Sequence, residues 1–198
     1  MGEDAAPGRK SIGARRNPES ADAIIEAAEA VLREAGYSGF SIEAVARRAR
    51  AGKPTIYRWW PSKAALLIEV YQRQKRVETP DTGNIEDDLV GFLGNLFAHW
   101  RDTPSGNVFR SLVAEAQSDA AAAAALADYS KARRGHTGRI VERGKTRGEV
   151  AADVDAEIVA DLIASYAWRH LLTNRLDESQ ATIRAAVRYV VRGITQAS

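Results

Sequence analysis

Residues 41–60 read SIEAVARRARAGKPTIYRWW, and this stretch decides the fold of the first third of the chain. Ser41 is a good N-cap, because its hydroxyl can accept from a free backbone N–H in a first helical turn. Behind it Ile42, Val45, Ala46 and Ala49 recur at helical spacing and give a short helix one apolar underside. Arg50-Ala51-Gly52 interrupts that helix. A second short helix follows, with Pro54 tolerated in its first turn. Ile56 is its one apolar anchor, which leaves Lys53, Thr55, Tyr57 and Arg58 for the outward face. A bracing helix, a tight turn and a second helix with an exposed polar face predict a helix-turn-helix over 41–60. A second helix of this kind fits the major groove of a DNA duplex. Hydroxyls and amides near its start suit phosphates, and Arg58 suits the paired acceptors of guanine. Of Trp59 and Trp60, one is expected to pack inward.

Charge divides the chain at the same place. Residues 1–76 hold 14 Lys or Arg against 9 Asp or Glu, and residues 77–198 hold 14 against 17. Between Ser41 and Lys63, Arg47, Arg48, Arg50, Lys53, Arg58 and Lys63 face Glu43 alone. A basic head on a mildly acidic body suits a polyanion partner, although a solvated helix face gives the same pattern. Arg9, Lys10, Arg15 and Arg16 precede the first periodic segment, and residues 1–17 are expected to form a flexible basic arm. They contain no apolar core of a signal peptide.

Helical periodicity governs the rest, and an all-α class follows. Ile24, Ala27, Ala28, Val31 and Leu32 form one stripe, which Gly36 ends as a left-handed cap. Pro61 and Ser62 start a long helix expected to run to about Val77. Residues 79–84 read as a loop. Ile85, Leu89, Phe92, Leu93, Leu96, Phe97 and Trp100 form the next stripe. Residues 103–106 read as a turn, followed by helices over about 109–117 and 120–145. The alanine run 120–125 reads as a strong helix former and nothing more. Asp155–Thr173 and Ser179–Thr195 are apolar on two sides, so each needs two packing partners. One is the chain's own core, and a second copy of the chain is a candidate for the other.

At 198 residues, with 45% hydrophobic and 27% charged, the chain is long enough for a sizeable core without staples. It has no cysteine, which fits a reducing cytoplasm. No apolar run reaches the length of a membrane span. His99, His136 and His170 make no metal-ligand spacing, so no metal or cofactor is expected. Asp87-Asp88, Asp153 and Asp155 sit at loop or helix starts, where they complement the helix dipole. No nucleophile elbow, phosphate loop or dinucleotide glycine pattern is present, and the chain reads as no enzyme.

Ile24 to Leu67 resembles the DNA-binding domain of the TetR family. The resemblance rests on Ala27-Ala28, Gly36-Tyr37, Phe40-Ser41-Ile42, Val45-Ala46, Ala49, Lys53, Thr55-Ile56-Tyr57 and the run Pro61-Ser62-Lys63-Ala64-Ala65-Leu66-Leu67. More weakly, Arg147 to Val150, Asp153 to Asp155, Asp161 to Ile163 and Arg169 resemble one regulatory-domain subtype of that family. The resemblance implies about nine helices, a homodimer through the last two, and a ligand cavity in the regulatory bundle. It implies phosphate or base contacts from Thr55 and Tyr57 and a phosphate contact from Lys63. Two positions depart from the common pattern. Arg50 stands where many members have glycine, at a cost of about 1 kcal/mol if its φ is positive. Gly52 stands where many have a capping serine, losing only a few tenths.

These readings combine into one expectation. Residues 18–64 form the DNA-binding domain, and 65–198 form a regulatory and dimerisation domain. The DNA-contacting set is Arg48, Arg50, Lys53, Thr55, Tyr57, Arg58, Trp59 and Lys63. Phe97, Trp100, Phe109, Tyr129, Tyr166 and Trp168 are candidates to line the ligand cavity. Ile158, Leu162, Ala185, Ala186, Tyr189 and Gly193 are candidates for the dimer face. The expected partners are an operator duplex, a small-molecule effector and a second copy. The expected role is a cytoplasmic, ligand-responsive regulator, more a repressor than an activator by family habit. The alternative is an all-helical ligand-binding or interaction module without sequence-specific DNA binding.

Overall fold

A computed structural model describes residues 18–74 and 77–194, and these form nine α-helices and no strand. The helices are α1 (Pro18–Gly39), α2 (Ile42–Ala49), α3 (Lys53–Trp59), α4 (Lys63–Gln74), α5 (Ile85–Asp102), α6 (Ser105–Glu115), α7 (Ala120–Thr146), α8 (Ala156–Leu172) and α9 (Gln180–Ile194). The all-α class expected from periodicity is the observed one. The proposed basic arm over 1–17 lies outside the described residues.

The helix ends follow from local chemistry. Gly36 takes φ 63°, ψ −171°, a conformation that side chains disfavour, and α1 kinks there. Ser41 Oγ accepts from the Ala44 N–H at 3.1 Å. Asn84, Asp119 and Asp155 cap α5, α7 and α8 through side-chain oxygens in the same way. Ser62 Oγ accepts from the Ala65 N–H at 3.0 Å and opens α4. The expected turn at 103–106 is shorter: Thr103 and Pro104 form it, and α6 begins at Ser105. Pro104 already has the helical φ of −61°, and Gly106 slides under the end of α5. A Cβ on Gly106 would lie 2.3 Å from the Trp100 carbonyl oxygen, so the close approach of backbone requires glycine there. Val77, expected to end the fourth helix, is no longer helical.

α1 packs on α2 and α4, and α2 on α3. α4 continues outward to meet α6 and α7. α7 runs along α8, and α5 along α9. α4 is therefore the element shared by the N-terminal three helices and the larger bundle. Its Leu66, Leu67, Val70 and Tyr71 are each buried to within 1%.

Asp88 has a larger role than its place near a helix start indicates. It is fully buried, and its Oδ1 accepts from the Thr82 N–H at 2.6 Å and the Thr82 hydroxyl at 2.8 Å. Its Oδ2 accepts from Arg147 at 3.3 Å, and Arg143 stands 3.7 Å away. Arg143 also donates to the Pro80 carbonyl. The carboxylate thus ties the loop 79–84 to the C-terminal end of α7. A buried charge persists when paired and hydrogen-bonded in this manner.

Candidate nucleic-acid interface and effector cavity

In the helix-turn-helix the apolar undersides face inward as their spacing requires. Ile42, Val45, Ala46 and Ile56 are buried, with Ile56 fully so. The turn is closed by Arg50 at φ 51°, ψ 37°, in the left-handed region. The Arg50 N–H donates to the Arg47 carbonyl and the Ala51 N–H to the Ala46 carbonyl, which satisfies the last carbonyls of α2. Arginine carries this conformation at a cost of about 1 kcal/mol, while its side chain stays exposed. Gly52 caps α3 without a side-chain bond, and its carbonyl accepts from Thr55 at 3.0 Å.

The outward face of α3 carries Lys53, Tyr57 and Arg58, all exposed, with Thr55 half-buried. Tyr57 is 48% exposed, unusual for so large a ring. The two tryptophans divide as expected. Trp60 is buried and its indole N–H donates to Glu69 at 2.5 Å. Trp59 is half-buried, edge-on to Trp60 at 5.8 Å, with the Arg58 guanidinium 5.5 Å from its ring.

Ion pairs sort the cations. Arg48 places both guanidinium nitrogens on Glu34 of α1, at 2.6 and 2.8 Å, and so turns toward α1. Lys53 holds Glu43 at 2.7 Å. In each pair the shared hydrogen bond lowers the acid's pKa and raises the base's. These pairs are exposed, where such contacts contribute little. Arg47, Arg50 and Arg58 have no acidic partner among the described residues. Arg47, named earlier only in the charge balance, is thus as available as Arg58. Lys63 stands apart at the start of α4, half-buried, with the Tyr37 ring 4.7 Å away and Glu115 at 3.1 Å.

The six aromatics expected around a cavity fall into two clusters. Phe97 stacks on Tyr166 and on the buried His170, at 6.3 and 5.2 Å. Phe109 is the centre of the other cluster, touching Trp100, Tyr129 and Trp168 as well as Tyr71. A cavity of about 320 Å³ opens between α5, α7 and α8. Trp100, Tyr129 and Trp168 line it; Phe97, Phe109 and Tyr166 do not. Phe97 and Phe109 are buried behind other rings, so they brace the bundle instead. Tyr71 of α4 accepts from the Trp100 indole N–H at 2.8 Å. Burial raises the phenol pKa of Tyr71 well above its usual value and that of Tyr129 to about 12, so both stay neutral donors.

Five large apolar side chains are exposed among the described residues. One is Tyr57, and the others are Ile158, Leu162 and Leu172 of α8 and Tyr189 of α9, at 50–79% exposure. Ala185 and Gly193 are exposed beside Tyr189, whereas Ala186 is half-buried.

Residues 24–70 match the model of bacterial regulatory proteins of the tetR family, and residues 79–190 match the tetracyclin repressor-like C-terminal domain. The chain belongs to the TetR family. The crystal structure of the TetR-family transcription regulator SCO0332 superposes with a TM-score of 0.74 at 27% identity, over 90% of this chain and all of that one. Salmonella enterica GusR shares the fold, with a TM-score of 0.65 at 19% identity over 89% and 98% of the two chains. The HTH-type transcriptional regulator YdeS of Bacillus subtilis is 33% identical over 109 residues, 54% of each chain. The DNA-binding transcriptional repressor TetR of Mycobacteroides abscessus is 36% identical over 86 residues, 42% of this chain and 45% of its own. The chain spans about half the length of the curated relatives it matches. The N-terminal TetR-family match takes in α2, α3 and Lys63, and the C-terminal one takes in all the cavity-lining residues.

Proposed function

We propose that this TetR-family chain is a ligand-responsive transcriptional regulator that binds a near-palindromic operator as a homodimer. The observation that carries the reading is α3. Its one aliphatic residue is fully buried, while Lys53, Tyr57 and Arg58 stand exposed on the helix that follows the turn at Arg50. That is the division a major-groove helix needs. Lys53, Arg50 and Lys63 are assigned to phosphates, Thr55 and Tyr57 to phosphates or base edges and Arg58 to a base edge, with Trp59 bracing Arg58. Arg48 joins them only by leaving Glu34. Residues 18–64 are the DNA-binding unit and 65–198 the regulatory and dimerisation unit, with the boundary inside α4. The exposed faces of α8 and α9 pair with their copies. Repression, relieved by a small molecule in the α5–α7–α8 cavity, is the mode of action we favour, in the cytoplasm and without catalysis.

The test is affinity for duplex DNA across a salt series. Neutralised phosphates make log affinity fall linearly with log salt, by about 0.9 per contact. A flat series, or no binding at low salt, would leave the chain a ligand-binding module instead.

A further inference from the structure

The α5–α7–α8 cavity is lined mostly by apolar and aromatic side chains, with a few polar and charged ones. Phe92, Leu96, Trp100 and Trp168 supply rings and aliphatic surface, and Ser130 and Thr137 supply hydroxyls. Three charged residues border it: Arg133, Arg134 and Asp161. Two of them neutralise each other. Arg134 Nε donates to Asp161 Oδ1 at 2.9 Å, and its guanidinium also lies 3.8 Å from Glu157. Arg133 has no acid partner among the described residues, although it is half-buried. Its charge reaches inward, for it opposes the burial of both the Tyr71 and the Tyr129 phenols. Its outer side offers no carboxylate either. There it borders an open groove with Gln72, His136 and Arg139. A half-desolvated guanidinium beside an apolar wall, with further basic groups behind it, is a site for an anion.

We propose that the cavity takes a small organic anion with an aromatic body, whose carboxylate is held by Arg133. The inference rests on the effector reading above and names its ligand class. At about 320 Å³ the cavity lies at the small end of the range for small-molecule sites, roughly 300–1,000 Å³. One or two fused rings fill it. The planar guanidinium suits a carboxylate bidentately, and Trp100, Tyr129 and Trp168 offer ring faces and edges to the body. The anchor lies where α7 packs on α4, the helix that begins with Lys63.

Trp100 and Trp168 provide the signal for a test. Quenching of tryptophan emission is followed, without DNA, on titration with 2-naphthoate, its neutral isostere 2-naphthamide and 2-naphthylmethylammonium. The naphthoate is expected to bind saturably and at least about tenfold more tightly than the other two, the ratio for a charge-assisted contact. R133Q should erase that preference, R133K should restore part of it, and R134Q should keep it. Unfolding curves of each variant confirm the fold, which an unpartnered side chain does not hold together. Equal binding of the three probes, a preference that survives R133Q, or no saturable binding overturns the proposal. Operator occupancy is read separately. Arg133-dependent binding that leaves DNA affinity unchanged would keep the anion site and remove the effector reading.

Discussion

The Lys63 ammonium lies 3.1 Å from a Glu115 carboxylate oxygen, joining the first residue of α4 to the last residue of α6. The contact is an ion pair without hydrogen-bond alignment, and that oxygen has no hydrogen-bond donor. Burial and the nearby Asp119 raise the Glu115 pKa, and the offset Lys63 does not reverse this. The side chain assigned to an operator phosphate is therefore held by an acid of the regulatory bundle. On the proposed assignment, a phosphate and Glu115 would compete for one ammonium.

Two variants test that competition. Lys63→Ala should weaken binding to all duplexes alike and reduce the salt slope by about one contact. Glu115→Gln should tighten binding by up to about fivefold, the worth of a partly exposed ion pair. Unchanged slopes in Lys63→Ala would remove the phosphate assignment.

Stability against pH carries a second signature of Glu115. Its folded pKa lies above its unfolded value, so the folded state holds the proton longer. The wild type should lose stability as pH rises from the ordinary glutamate range through the raised pKa. Glu115→Gln lacks this loss, so it should gain on the wild type as pH rises. Urea unfolding at about pH 4.5 and about pH 7 measures the difference. A variant that falls behind as pH rises would contradict the sign.

Four exposed apolar side chains on α8 and α9 motivate the dimer prediction. Leu162→Glu and Ala185→Glu should each give a folded monomer with weak operator affinity, because a charge at an isologous contact is buried twice. Glu26→Lys, on the exposed side of α1, should remain a dimer. Sedimentation reads all three. Dimeric Leu162→Glu with full operator affinity would move the interface elsewhere.

Asp88→Ala should cost about 2–4 kcal/mol, because Arg143, Arg147 and Thr82 lose a buried acceptor. Thermal unfolding measures it, and a loss within about 0.5 kcal/mol, typical of a surface site, would contradict the anchoring role.

The helix-turn-helix was legible because its information is local. Ile42, Val45 and Ala46 lie within one short run, where helical spacing alone places them on one side, and Ile56 is the one aliphatic residue of α3. The left-handed turn at Arg50 was legible only through the resemblance, since many family members carry glycine at that position. The cavity was half legible. Phe97, Phe109 and Trp168 look alike in sequence, and only packing between distant helices decides which one meets the void. Asp88 resembled any acid near a helix start, since its partners Arg143 and Arg147 are more than 50 residues away. Residues 103–106 had the composition of a turn, but only Thr103 and Pro104 form one, because Gly106 fits closely against Trp100 at the start of α6. Lys63 was singled out by resemblance, yet nothing local pointed to Glu115.

The account's central claim is that α3 reads an operator in a symmetric pair. Selection of bound sequences from a random duplex pool by the full chain tests it most directly. The account predicts an enriched, near-palindromic motif whose half-site centres lie about 10–10.5 base pairs apart, or a multiple of that. Arg58→Ala should relax the preference at one base pair of each half-site. A pool that stays random, or an enriched motif without two-fold symmetry, would contradict it.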